Sequence, residues 1–161
     1  MGLRGIHRIV VAVRDLEASK RLYGKLLGAE FHAANWTGAP FGIEVAIAWN
    51  AGLELCAPAP GREQDSVVSP FLDHYGEGIV NVLFGVDDIA AARRAVAQTG
   101  LAAAHELDYT QQDIDTHLNG LFSCYQELFI DSRERCGFNI GLARVDRKFI
   151  DAGSDLTGAA S

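Results

Sequence analysis

The chain has 161 residues, 48% of them hydrophobic and 22% charged, which suits one compact domain or two small halves around one core and argues against disorder or a fibre. Fourteen Lys and Arg against 21 Asp and Glu leave a formal charge of -7, and basic pairs such as Arg93-Arg94 and Arg147-Lys148 are isolated, so nucleic acid is not an expected partner. No apolar run approaches the roughly 20 residues of a membrane span, and Met1 to Arg8 has no signal-peptide core, so a cytoplasmic protein without membrane contact is expected.

Ile6 to Val13 is a β-branched, apolar run that reads as a buried strand, and Asp15 after it reads as a helix N-cap. Leu16, Ser19, Leu22, Tyr23, Leu26 and Leu27 lie at helical spacing and stop at Gly28, a suitable C′ residue. Three strand candidates follow, at about 29 to 35, Gly42 to Trp49 and Leu53 to Ala57, with Asn50-Ala51-Gly52 as the turn between the last two. Pro58, Pro60 and Gly61 break this unit and begin a linker in which Ser66 to Tyr75 reads as a short helix. The same order then returns. Ile79 to Val86 reads as a strand and Asp88 as a cap, and a helix carrying Ile89, Ala92, Val96 and Ala97 ends at Gly100. Strands follow at about 101 to 107, Leu121 to Ile130 and Gly137 to Val145, with a polar connection, Tyr109 to Gly120, between the first two.

A shift of 73 places Asp15 on Asp88 and Val13 on Val86. The chain is therefore read as α+β, with β-α-β-β-β units at 5–58 and 78–145, a linker at 59–77 and a frayed tail at 146–161. Strand alternation puts His7, Ile9, Val11 and Val13 on a face toward the helix and Arg8, Val10 and Ala12 on the other. In the second unit Val80, Val82, Phe84 and Val86 form the helix-side face, leaving Asn81, Leu83 and Gly85 opposite. Arg8 and Asn81 are thus equivalent, and small side chains beside a polar group predict space for a ligand.

The stretches IVVAVRDLEASKRLYGKLLGAEF, ELCAP, YGEGIVNVLFGVDDI and LFIDSRERCGFNIGLA, in this order over residues 5 to 145, resemble the vicinal oxygen chelate superfamily. That family includes glyoxalase I, methylmalonyl-CoA epimerase, extradiol dioxygenases and the fosfomycin and bleomycin resistance proteins, and YGEGI before VDDI looks most like its epimerase-like members. The resemblance implies one curved mixed sheet around a shared cavity and a homodimer. Members usually bind a divalent metal through inward residues, two from each unit, typically His with Glu or Gln in the first and His with Glu in the second. The matching positions here are Arg8, Glu54, Asn81 and Gly141. A permanently protonated guanidinium is no ligand and repels a cation beside it, so neither a metal nor another cofactor is expected. His7 falls on the helix side by alternation and reads as a packed histidine.

Arg8 and Glu54 are the candidate catalytic residues, Arg8 offering donors to a substrate carboxylate or enolate and Glu54 acting as general base. Alternatively they neutralise each other as a structural pair. Asn81, Asn139 and Cys56 join Arg8 as candidate substrate contacts; nothing nearby marks Cys56 as a nucleophile. The expected function is a metal-independent isomerase or lyase moving a proton next to a carbonyl in a small molecule. The alternatives are a protein that holds an apolar or aromatic compound without chemistry, or a non-catalytic interaction module. His105, Asp108, Tyr109 and His117 either cover the cavity mouth or stay solvated, and the face presented by Ser123, Tyr125 and Glu127 is undecided. Trp36, Trp49, Phe31 and Phe41 form either an aromatic wall or, the preferred reading, ordinary core packing. Cys56, Cys124 and Cys136 are odd in number and lack C-x-x-C spacing, so reduced thiols are expected.

Overall fold

The computed structural model describes residues 1–148. The first unit consists of β1 (Leu3–Ala12), α1 (Leu16–Leu27), β2 (His32–Ala33), a helical turn α2 (Asn35–Gly38), β3 (Ile43–Ala48) and β4 (Leu53–Pro58). A short helix, α3 (Ser69–Tyr75), leads to β5 (Gly78–Val86), α4 (Ile89–Thr99), β6 (Ala102–Asp108), α5 (Gln111–His117), β7 (Phe122–Asp131), α6 (Arg133–Cys136) and β8 (Asn139–Arg147). The strands form one curled half-barrel sheet in the order β2-β3-β4-β1-β5-β8-β7-β6. β1 runs parallel to β4, and β5 parallel to β8, while the antiparallel β1–β5 pair joins the two units at the centre. From residue 149 on, the expected tail lies outside the described residues.

Local chemistry accounts for the repeated strand-to-helix corner. Asp15 accepts a hydrogen bond from Ala18 N at 2.8 Å, and Asp88 accepts one from Ala91 N at 2.9 Å, each satisfying a donor that the first helical turn leaves open. Both helices stop at a left-handed residue, Gly28 (φ 65°) and Gly100 (φ 73°), where a side chain would be strained. Val86, Ile89, Ala92 and Val96 pack with Leu128, Ile130 and Leu142 beneath α4; Val11, Val13, Leu53, Leu55 and Ala57 pack against Leu16 and Tyr23 of α1. Each large apolar side chain so buried contributes about 1.5–3 kcal/mol. The helical spacing of α1 overstates its contact with the sheet: Leu22, Leu26 and Leu27 are exposed. No helix among the described residues is long and apolar enough to cross a membrane.

The two central strands break strict alternation, and this corrects the placement of two residues. Ile6 pairs with Phe84 but Arg8 with Leu83, so β1 spends two residues against one step of β5 and bulges at His7. Val10 pairs with Asn81 but Val11 with Ile79, so β5 bulges at Val80. These two positions are equivalent under the internal repeat. His7 consequently packs toward Trp49, with ring centroids 6.3 Å apart, and Val80 joins the concave cluster with Val10, Val45 and Leu83, so neither lies on the helix side. Burial, with Arg8 adding to it, pushes the His7 pKa down to about 4, so its ring is neutral near pH 7.

Two connections are more ordered than alternation suggests. The strand expected at 29–35 shrinks to His32–Ala33, because Asn35 turns the chain and accepts from Val45 N at 2.9 Å. At Gly38 a Cβ would stand 2.5 Å from the Ile43 carbonyl, so only glycine permits this approach. The polar connection contains α5, started by a capping box in which Thr110 and Asp113 satisfy each other's backbone N–H groups. Trp36 stacks on His117 with ring centroids 4.1 Å apart and meets Tyr109 at a tilt with centroids 4.6 Å apart, tying α2 to this connection.

Replacing either cap, Asp15→Ala or Asp88→Ala, is expected to lower unfolding stability by about 1 kcal/mol, measured by urea denaturation. Equal losses at both sites would match their equivalence in the repeat.

Candidate active site

Curling of the sheet encloses a cavity of about 400 Å³ on its concave face, with apolar walls from Val10, Ile43, Val45, Val80 and Leu107 and rings from Phe41, His105, Tyr109, Tyr125 and Phe129. Its charged floor comes from three strands. Arg8 on β1 donates through Nε to Glu54 Oε2 on β4 at 2.5 Å. The same guanidinium reaches the other unit, donating from Nη1 to Glu127 Oε1 at 2.5 Å and from Nη2 to Glu127 Oε2 at 3.0 Å on β7. The Val10–Glu54 register sets the first contact, and the curl brings β7 over for the second. The Glu127 pair is bidentate, the geometry for which a planar guanidinium is suited.

All three side chains are withdrawn from water, but not equally: Arg8 is 4% exposed, Glu54 12% and Glu127 0%. Burial opposes the charge on Arg8, yet the carboxylates of Glu127 and Glu54 outweigh it and hold its pKa above the ordinary value. Burial raises the Glu54 pKa, which Arg8 counteracts and Glu127 reinforces. Both Glu127 oxygens are taken by Arg8, whereas Glu54 Oε1 has no hydrogen-bond partner among the described residues and is open to the cavity. Tyr125, buried above the floor, has its pKa pushed far up by burial, so its hydroxyl is a proton donor rather than a phenolate.

The expected pairing of Arg8 with Glu54 is present, but the guanidinium is not free to meet a substrate, since Nε, Nη1 and Nη2 are all engaged. Asn81 lines the cavity, and its side chain has no hydrogen-bond partner among the described residues. Asn139, its neighbour in the β5–β8 register, also reaches the cavity, but its Oδ1 accepts from Ser132 N at 3.3 Å and Arg133 N at 3.1 Å to hold the turn before β8. Cys56 lines the wall; burial, then the charge of Glu54, pushes its thiol pKa up, and Sγ donates to the Val11 carbonyl at 3.6 Å. It is a packed thiol and not a nucleophile. At Gly141 a Cβ would stand 2.6 Å from Leu83 Cγ, so Leu83 fills the space a side chain there would use.

Glu127 is the functional residue that alternation left unplaced. Its signal is a charged residue in phase with Tyr125 and Phe129, both of which face inward, while Leu128 and Ile130 pack under α4. His105 lies on β6, within the strand expected at 101–107, and of its two alternatives the solvated one does not hold: it stacks on Phe129 with ring centroids 4.2 Å apart and lines the cavity. Burial lowers its pKa, against a smaller opposing effect of Glu127. Of its two expected roles Phe41 takes the wall, with its ring 4.8 Å from that of His105.

The family model of the Glyoxalase/Bleomycin resistance protein/Dioxygenase superfamily matches residues 7–117. The chain belongs to this superfamily. Among solved structures it is similar to methylmalonyl-CoA epimerase from Mycobacterium tuberculosis, with 23% identity, a TM-score of 0.63, and 91% of this chain and 89% of that one covered. A Streptomyces coelicolor methylmalonyl-CoA epimerase variant in complex with 2-nitronate-propionyl-CoA gives 22% identity, a TM-score of 0.66, and 89% and 98% coverage. A hypothetical protein from Bacillus halodurans gives 18% identity, a TM-score of 0.66, and 89% and 95% coverage. At these identities the likeness establishes the shared fold. No curated protein matches the chain.

Removing the central cation isolates two buried carboxylates. Arg8→Met is expected to cost about 3–5 kcal/mol of stability at neutral pH. Without Arg8 the folded state holds carboxyl protons more tightly than the unfolded chain does, so part of the loss should return as pH falls toward 5. Urea denaturation of wild type and variant across this range would reveal it, and a pH-independent difference would contradict the charge origin.

Proposed function

We propose that this chain is a small-molecule enzyme of the isomerase or lyase kind, with Glu54 as the general base that moves a proton next to a carbonyl. The observation that carries this reading is the asymmetry of the two carboxylates: Glu127 is sealed and doubly bonded, while Glu54 presents a free Oε1 to the cavity. A base held in an apolar site with a raised pKa is suited to proton abstraction near neutral pH. Arg8 acts as a positioning residue, fixing the Glu54 carboxylate through Oε2 and placing its free oxygen toward the substrate. The Asn81 carboxamide and the Tyr125 hydroxyl, both lining the cavity, are the donors for the oxyanion that develops on the carbonyl.

The reaction in this reading uses no metal. Three or four anionic or imidazole donors would be needed, but the superfamily's ligand positions hold a cation, a carboxylate with one oxygen engaged, an amide, and a glycine covered by Leu83. A divalent ion would have to displace Arg8 from both carboxylates. Epimerisation, the activity named for several structural neighbours, removes and returns a proton beside a carbonyl and so belongs to the same reaction class. Their methylmalonyl-CoA carries a carboxylate, for which Arg8 here is already taken. The same reading includes a cytoplasmic homodimer, favoured by the unpaired thiols Cys56, Cys124 and Cys136 and by exposed Leu22, Leu26 and Leu27 on α1.

A second reading, sequestration of an apolar compound without chemistry, is favoured by the ring-lined wall. The two separate in heavy water. On a panel of ketones and aldehydes, the wild type is expected to speed deuterium incorporation beside the carbonyl, read by proton NMR. Glu54→Gln should lose about 10²–10⁴ of that rate, and a metal chelator should leave it unchanged. Binding without exchange supports sequestration, and loss of exchange on chelation overturns the metal-free reading.

A further inference from the structure

Resting on the assignment of this cavity as the ligand site, we infer that it selects its ligand by charge: it admits an uncharged or singly cationic molecule with an apolar, ring-sized body and rejects carboxylates and phosphates. The charged groups that line it are Arg8, Glu54 and Glu127, and with both carboxylates ionised they sum to one negative charge. His105 on the opposite wall is held toward its neutral form by burial and adds no compensating cation. Nearby cations are committed elsewhere. Arg62 pairs with Asp65 at 2.9 Å, and Arg133 donates to the Ile79, Val80 and Gly137 carbonyls while its guanidinium lies 4.5 Å over the Phe71 ring. Residues 149–161 contain no Lys or Arg.

An anion entering this space would give up its water, meet no unpaired cation and face a net negative floor. A cation meets the reverse situation. Tyr109 and Tyr125 stack with ring centroids 5.2 Å apart, and His105 with Phe129 at 4.2 Å, so ring faces that attract positive charge stand in the same cavity as the free oxygen of Glu54. An ammonium placed among them keeps electrostatic and hydrogen-bonding partners, and its apolar body lies against the valines of the opposite wall. A volume of about 400 Å³ suits one or two fused rings and not an extended chain.

The test is a matched series that shares a body and differs in charge: naphthylmethylamine, naphthylmethanol and naphthoate, titrated calorimetrically into the full chain. The amine and the alcohol are expected to bind at least about tenfold more tightly than the acid, the scale of one like-charge repulsion at an effective dielectric near 20. In Glu54→Gln the floor becomes neutral, so the ratio of amine to acid affinity should fall about tenfold, and measurable binding of naphthylmethanol by the variant reports that the cavity is still formed. Naphthoate binding as tightly as the amine, a ratio unmoved by Glu54→Gln, or no binding by any of the three would overturn the inference. Absence of proton exchange with the charge preference intact would count against the catalytic reading alone.

Discussion

One buried guanidinium between two carboxylates is the interaction on which this molecule is organised. Arg8 sits on the strand that starts the first unit, Glu54 on the strand beside it and Glu127 on a strand of the second unit, so the cluster ties the two repeats across the cavity. Desolvation of three charges offsets much of their attraction, and an apolar trio of similar volume could be as stable. What the charges add is direction. A bidentate contact fixes the plane of the guanidinium, and that plane fixes the orientation of Glu54.

The cavity follows from the same arrangement. Gly141 lets Leu83 lie across the floor where the superfamily usually carries an acidic side chain, and the paired bulges at His7 and Val80 turn one extra residue from each central strand inward. The second unit supplies most of the rings, from β6, β7 and Tyr109 just after β6, while the first supplies mainly valine and isoleucine from β1 and β3. The two halves share a topology but divide the chemistry: a free carboxylate oxygen and aliphatic wall on one side, stacked rings and a phenol donor on the other.

The repeated strand-to-helix corners were legible because Asp15 with Gly28 and Asp88 with Gly100 mark both ends of each helix by local chemistry alone. Alternation correctly turned Arg8, Val10 and Ala12 toward the cavity, and Glu54 met Arg8 as expected. A bulge carries no signature in a strict period of two, so alternation alone puts His7 and Val80 on the wrong face. Glu127 escaped because its partner lies in the other unit, and only the curl of the sheet decides which face of β7 looks inward. The start of α5 was written locally in Thr110 and Asp113, a capping box that the polar composition of the segment concealed.

The proposed role of Glu54 depends on a carboxyl that is buried, held by Arg8, open to the cavity and raised in pKa. Carbon NMR titration of the Glu54 side-chain carboxyl in the wild-type protein tests it most directly. A midpoint above the ordinary carboxylate value of 4.5 is expected, because burial and the charge of Glu127 outweigh the help of Arg8. A midpoint at or below that value would show that the ion pair dominates, leaving Glu54 a structural anion.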